Sequence, residues 1–506
     1  MSEGTPGILL VLDGWGHAPH DDGNAISAAA TPVLDRLLST CPTVLVEASG
    51  TAVGLLPDTV GNSEIGHMVI GAGRPVPYDS VLVDQQIRTG GLRTNPLLSK
   101  ALGDVASSGT ALHLIGLSSD GAIHAHVDHL RELLETAVEL NVGQVWIHAI
   151  TDGRDVSDGT AGTYLGRIEK HAAETGAGRV ASVVGRGYAL DKSGDLDLTR
   201  QAGLLIADGV GAPVARPQEA VDASARGDEW VEPGVVVDDA GEPLGAVRAG
   251  DAVLFTNFRS DRIQQLADFL VEHVADRDVE VLSLAQYDTR ADIPPLVGRA
   301  ETGGGLADEL ARHGLRSVRV AENEKFEHVT YYVNGRDATA RAGEEHVRIA
   351  ADERPDYRAR PEMNLDKVVE AVAGAAQRPE VDLVVANLAN IDVVGHTGDF
   401  AATVLATEHT DRAVDRILAT AAETGRWVLL VGDHGNAERM LKPGADGVPR
   451  PYGGHTTNPV PAVLVPVDGQ TVGDAPENPS LADLAPTVLR LLGRPAGEVM
   501  TGRPLW

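Results

Sequence analysis

The chain predicts an α/β fold, and three observations carry the prediction. Short runs rich in Val, Leu and Ile alternate with helix-like stretches along the whole length, the pattern of strands and crossover helices. Three of these runs lead to an aspartate: Gly7–Leu12 into Asp13, Asp382–Ala386 on to Asp392, and Trp427–Val431 on to Asp433. Finally, Asp and His candidates cluster before about Met68 and after about Asp392, whereas the middle is rich in Arg. The simplest arrangement is one parallel-sheet α/β domain built from both termini, residues 1–77 and 306–506, with a second α/β domain, residues 78–305, inserted between. The boundaries are expected in the Pro-rich Arg74–Asp79 and near Pro294–Gly305.

In chain order, the strand-like runs are Gly7–Leu12, Ala111–Leu117, Gln144–Ile150, Arg179–Val184, Asp251–Phe255, Val279–Ala285, Ser317–Val320, Asp382–Ala386, Trp427–Val431 and Pro461–Pro466. Apolar on both faces, they read as buried strands of parallel sheets. The helix-like stretches are His129–Leu140, Ala161–Ala173, Arg262–Ala275, Gly305–His313, Leu365–Ala376 and Ala401–Glu423. The polar, Gly-rich Glu232–Gly250 reads as a hairpin or excursion.

Composition bounds the function. The 506 residues are 43% apolar, enough for two or more domains with aliphatic cores. The formal charge of −31 argues against nucleic acid or an anionic membrane as partner, because phosphate surfaces reward Lys and Arg. It leaves room for a small anionic substrate held by local arginines. One cysteine, Cys41, excludes an intrachain disulfide framework, suits a reducing cytoplasm, and is expected to be buried and inert. The N-terminus lacks a signal-peptide pattern, and no run approaches the roughly 20 apolar residues of a membrane span.

In open α/β sheets, ligands gather outside the carboxyl ends of strands. Asp13, Asp392, His396, Asp433 and His434 would meet there, joined by His455. Asp and His suit Mn²⁺ or Zn²⁺, and this many donors exceed the needs of one tetrahedral ion, so two metals are expected. Ser63, within Gly61–His67 (GNSEIGH), is placed at the N-cap or first turn of a helix. A helix N-terminus favours phosphate, and a serine beside a metal can ionise and attack phosphorus. Taken singly, a serine there is an ordinary cap, and an isolated Asp or His is ordinarily structural; the set makes the case. In the middle of the chain, Arg154, Arg186, Arg259 and Arg262 each follow a strand-like run and suit a substrate with more than one anionic group. Asp155 would orient a hydroxyl, act as a general base or pair with an arginine. Lys325, after the run Ser317–Val320, offers a phosphate a point charge.

Together these motifs resemble the cofactor-independent (2,3-bisphosphoglycerate-independent) phosphoglycerate mutases of the alkaline phosphatase superfamily, over nearly the whole chain. The matching motifs are LDGWG at Leu12–Gly16, GNSEIGHMVIGAGR at Gly61–Arg74, SDGAIHAH at Ser119–His126, DGRD at Asp152–Asp155 and NFRSDR at Asn257–Arg262. They continue with ENEKFEHVTYYVNG at Glu322–Gly335, NIDVVGHTGD at Asn390–Asp399, GDHGNAE at Gly432–Glu438 and GGHTTNPVP at Gly453–Pro461. The resemblance implies an alkaline-phosphatase-like domain with an inserted phosphotransferase domain that closes over the substrate. It implies interconversion of 3- and 2-phosphoglycerate, in glycolysis and gluconeogenesis, through a phosphoserine at Ser63. One metal would take Asp392, His396 and His455, and the other Asp13, Ser63, Asp433 and His434. Manganese is the expected ion, with Zn²⁺, Co²⁺ or Mg²⁺ as alternatives. The implied substrate residues are His124, Arg154, Asp155, Arg186, Arg259, Arg262 and Lys325, with Asp155 and Lys325 also catalytic. A cytoplasmic monomer with no nucleic-acid or membrane partner is expected.

One departure is informative. Where the family reads Tyr-Tyr-Ala-Met-Asp-Arg-Asp and then a basic, Trp-containing stretch, this chain reads Gly187–Tyr188–Ala189–Leu190–Asp191–Lys192 and continues through Ser193–Asp197. Lys192 stands for a substrate arginine. The alternative is therefore a paralogous transferase or hydrolase acting on another small phospho- or phosphono-acid. A non-catalytic binding protein is disfavoured by the complete ligand set.

Overall fold

The computed structural model describes residues 4–191, 193–350, 356–443, 448–467, 473 and 475–506, so Lys192 lies outside the described residues. The chain forms two compact units, Met1–Pro77 with Glu301–Trp506, and Tyr78–Ala300. The second crossing falls at Glu301 rather than at residue 306. Arg74 accounts for the shift, because its guanidinium donates to the carbonyls of Glu301 and Gly303 and ties that segment to the first unit.

The first unit is built on a seven-stranded sheet, in the order Glu344–Ile349, Ser317–Glu322, Leu383–Leu388, Gly7–Leu12, Trp427–Val431, Val460–Val465, Thr43–Val46. All run one way except Val460–Val465, which is antiparallel to both neighbours. The first strand of the chain thus sits at the centre, between two strands from the carboxyl-terminal half. Register aligns Leu12 with Leu388 and Val11 with Val431, so Asp13 and Asp433 emerge at one edge. Helices Pro32–Thr40, Leu365–Ala376 and Phe400–Thr424 supply Leu34, Leu37, Val368, Val372, Val414 and Ile417 to a core with Ile8, Leu10, Leu12, Val384, Val428 and Leu430. Each such side chain contributes roughly 1.5–3 kcal/mol by burial. That density of apolar contact holds a polar rim in fixed positions.

The second unit has an eight-stranded sheet, in the order Pro295–Val297, Glu280–Ala285, Ala252–Phe255, Ala111–Leu117, Gln144–Thr151, Arg179–Gly185, Gly234–Val236, Ala212–Val214. The first six are parallel; Gly234–Val236 is antiparallel to Arg179–Gly185. Glu232–Gly250 is therefore partly strand, followed by a turn with a Val237–Pro243 bridge. Cys41 is only partly buried, because it caps the helix Pro32–Thr40 at the rim of the core rather than within it. Among the described residues, no helix is long and apolar enough to cross a membrane.

Candidate active site and metal centre

Three strand ends of the first unit deliver the site. Asp13 directly follows Gly7–Leu12, and the turn continues through Gly14 at φ +74°. A Cβ there would lie 2.9 Å from Asp392 Cα, so glycine lets the two segments touch. Asp392 lies in the short helix Asn390–Gly395 after Leu383–Leu388, and Asp433–His434 follows Trp427–Val431. Ser63 is the first residue of the helix Ser63–Ala72, and the cap is Asn62, whose side chain accepts from Ile65 N at 3.0 Å.

The seven residues converge in two overlapping groups. Asp392 Oδ1 lies 3.4 Å from His396 Nε2 and 3.4 Å from His455 Nε2, and these nitrogens are 3.1 Å apart. Around the serine, Ser63 Oγ is 2.9 Å from His434 Nε2 and 3.2 Å from Asp13 Oδ1. His434 Nε2 is 3.5 Å from both Asp13 Oδ1 and Asp433 Oδ2, and 3.9 Å from Asp392 Oδ1, which joins the groups. Lys325, next to the Ser317–Glu322 strand, donates to Ser63 Oγ at 2.6 Å, Asp392 Oδ2 at 2.7 Å and Asp13 Oδ1 at 2.8 Å.

Donor chemistry fits divalent metal. His396 Nδ1 bonds the Gly453 carbonyl and His455 Nδ1 the Gly61 carbonyl, at 2.7 and 2.8 Å. A carbonyl only accepts, so both rings carry a proton on Nδ1 and point Nε2 toward Asp392, the orientation of a metal-binding histidine. Asp433 Oδ2 is buried without a hydrogen-bond partner among the described residues. Burial opposes charge on His434, yet the carboxylates of Asp433, Asp13 and Asp392 outweigh it and push the ring up to about 9. Burial likewise opposes ionisation of Asp13, but Lys325 and His434 hold it well below the usual carboxylate range. Three buried carboxylates that draw in an ammonium and an imidazolium form a centre that demands positive charge.

Further residues, not singled out as functional by the sequence, support these. Asn387, in the apolar strand Leu383–Leu388, donates to Asp13 Oδ2 at 2.7 Å. Asn436 donates to Asp392 Oδ1 at 3.1 Å, and Glu438 accepts from Asn436 N at 2.8 Å. His67, one helical turn after Ser63, is fully buried beside them. The available signal was an Asn inside an apolar strand and a His at i+4 from the serine.

In the second unit, Arg186 Nη1 lies 2.7 Å from Asp152 Oδ1 and 2.8 Å from Asp155 Oδ2. His124 Nε2 is 4.0 Å from Asp155 Oδ2, and its Nδ1 4.0 Å from Asp261 Oδ1. Asp261 also meets Arg259 at 2.8 Å and Arg262 at 3.3 Å. Arg154 Nη1 stands 3.7 Å from Glu229. His124, Asp155, Arg186, Arg259 and Arg262 thus form one cluster, and Arg154 faces Glu229. Burial, and then Arg186 and Arg259, pull His124 down to about 4. Burial raises Asp155 against the opposing pull of Arg186.

Fold and donor set define a metalloenzyme, and the family model of the Metalloenzyme superfamily matches residues 5–496. The 2,3-bisphosphoglycerate-independent phosphoglycerate mutase of Streptomyces coelicolor is 63% identical over 99% of this chain and 98% of its own. That of Desulforudis audaxviator is 39% identical over the full length of both. A crystal structure of Leishmania mexicana phosphoglycerate mutase at low cobalt concentration superposes with a TM-score of 0.77, at 29% identity, over 100% of this chain and 98% of that one. The chain belongs to the 2,3-bisphosphoglycerate-independent phosphoglycerate mutases.

Proposed function

We propose that this enzyme interconverts 3- and 2-phosphoglycerate by passing the phosphoryl group through Ser63. The observation that carries the reading is the Ser63 hydroxyl, 2.6 Å from the Lys325 ammonium and within 3.2 Å of Asp13 and His434. Ser63 Oγ bonds to phosphorus as the bond from phosphorus to the glycerate oxygen breaks. That oxygen takes up a proton, and the steps then reverse on the other hydroxyl. Lys325 stabilises the ionised serine oxygen by a charge-assisted hydrogen bond. Asp155, raised by burial, exchanges the proton with the glycerate hydroxyls. Arg154, Arg186, Arg259 and Arg262, with His124 and Lys192, bind the carboxylate and phosphate.

Two divalent ions fit the donors, one on Asp392, His396 and His455, the other on Asp13, Ser63, Asp433 and His434. Bound there, they would offset charge on the phosphoryl oxygens and favour ionised serine. Mixed carboxylate and imidazole donors suit Mn²⁺. In this reading one chain carries the whole set and works as a monomer in the cytoplasm. Relatives named for phosphoglycerate across the full length favour this reading over a paralogue with another phospho-acid.

The test is ³¹P NMR of Mn²⁺-loaded protein with 3-phosphoglycerate and no bisphosphoglycerate. The 2-phosphoglycerate signal is expected to grow in, and Ser63→Ala is expected to abolish it while the fold persists. Normal turnover by Ser63→Ala would refute the phosphoserine route.

A further inference from the structure

His67, buried beside the centre, has both ring nitrogens engaged by protein groups. Its Nδ1 lies 2.8 Å from the Ser63 carbonyl, an acceptor only, so Nδ1 carries the proton. Its Nε2 lies 3.0 Å from Asn387 Nδ2 and must accept. The same Nδ2 donates to Asp13 Oδ2 at 2.7 Å. The two hydrogens of one amide are thus divided between a carboxylate and a ring nitrogen, and turning the amide over would aim its oxygen at the carboxylate. On the other side, His67 Nδ1 is 3.3 Å from Asp433 Oδ2, the carboxylate oxygen left without a hydrogen bond. The ring is packed edge-on against His328, centroids 5.4 Å apart, and both His67 and Asn387 are fully buried.

We propose that His67 and Asn387 are a positioning pair: the ring, locked with its proton on Nδ1, joins the first turn of the Ser63 helix to the central sheet and fixes Asp13 for the ion shared with Ser63. The inference rests on the metal reading above. His67 itself contacts neither substrate nor ion. Because its tautomer is set from both sides, rotation of Asn387 and displacement of the helix are opposed together. Outer hydrogen-bond partners of this kind set ligand orientation, and their loss weakens metal binding 10–100-fold.

The experiment titrates metal-free full-length protein with Mn²⁺ alone, following free Mn²⁺ by EPR, in the unmodified protein, Asn387→Leu, His67→Phe and His67→Asn. Asn387→Leu and His67→Phe are expected to weaken one of two binding events by 10–100-fold and leave the other within about twofold. His67→Asn, which keeps a donor near the position of Nδ1, is expected to recover part of the loss and guards against a variant that merely misfolds. Histidine ¹⁵N NMR of the unmodified metal-free protein is expected to show His67 protonated on Nδ1 and bare on Nε2. Unchanged Mn²⁺ binding in both Asn387→Leu and His67→Phe, equal weakening of both events, or the opposite tautomer would overturn the pair. Absence of Mn²⁺ binding by the unmodified protein would overturn the metal reading itself.

Discussion

Lys325→Met removes a buried ammonium and keeps most of the side-chain volume. In the structure, Nζ meets Asp13, Asp392 and Ser63 within 2.8 Å, and the residue is 6% exposed. Breaking a buried ion pair from one side costs about 3–5 kcal/mol, because the partner charge stays buried. For a unit of this size, that corresponds to a fall of roughly 6–10 °C in Tm of the metal-free protein. Saturating Mn²⁺ supplies the missing positive charge, so the metal-loaded variant should fall far less. Acid should also narrow the gap: without Lys325, burial raises Asp13 and Asp392, which then take up protons. Turnover at saturating metal should still drop about 10–150-fold, the worth of one charge-assisted hydrogen bond to Ser63 Oγ. The assay is calorimetric melting with and without Mn²⁺, beside steady-state kinetics. An unchanged metal-free Tm, or an equal loss in both states, would refute the reasoning that this centre is held together by its need for cations.

Other expectations follow from the titrating groups and the substrate set. With His434 up near 9 in the metal-free protein, Mn²⁺ binding at pH 7 should release about one proton from this ring and weaken as pH falls, which calorimetry in buffers of different ionisation enthalpy will read. His129 is depressed from 6.5 to about 4, mainly by burial. Its contribution to stability is therefore present above pH 6.5 and lost as pH falls toward 4, roughly 3 kcal/mol in all; urea unfolding across that range should show this slope, flattened in His129→Gln. Lys192→Arg should leave 3-phosphoglycerate turnover unchanged or raise it, because a guanidinium can form two parallel bonds to a carboxylate; a Lys192→Ala variant with wild-type kinetics would show that this position carries no substrate contact.

The sequence made the centre of the seven-stranded sheet readable because GILLVL, DLVVA and WVLLV are apolar on both faces, as only strands covered on both sides can be. Edges were harder. Glu344–Ile349 (EEHVRI) is charged and half-exposed, Ala212–Val214 is three residues long, and Thr43–Val46 is four. None has a pattern distinct from a loop, and neighbours set their pairing. The reversal of Val460–Val465 was equally invisible, since direction is a property of the connection rather than of the strand. The candidate ligands were legible as a set, because several Asp and His residues follow apolar strands and Ser63 opens a helix. Asn387, Asn436 and His67 were not, because a neutral amide or a buried ring has many ordinary roles, and only its hydrogen-bond partners single it out.

The position of Gly7–Leu12 has a consequence for biosynthesis. This strand leaves the ribosome long before either of its partners, Leu383–Leu388 and Trp427–Val431. At about 5–20 residues per second, the wait is roughly 20–75 s, during which six apolar residues have no sheet to join. The continuous segment Tyr78–Ala300 can collapse meanwhile as a nascent domain. Closure of the central sheet, and with it the meeting of Asp13 with Asp392 and Asp433, must wait until Leu383–Leu388 and Trp427–Val431 have been made. A chain that stops before Leu383 therefore presents an unpaired apolar ribbon to chaperones and proteases, and lacks Asp392, Asp433 and His434 altogether.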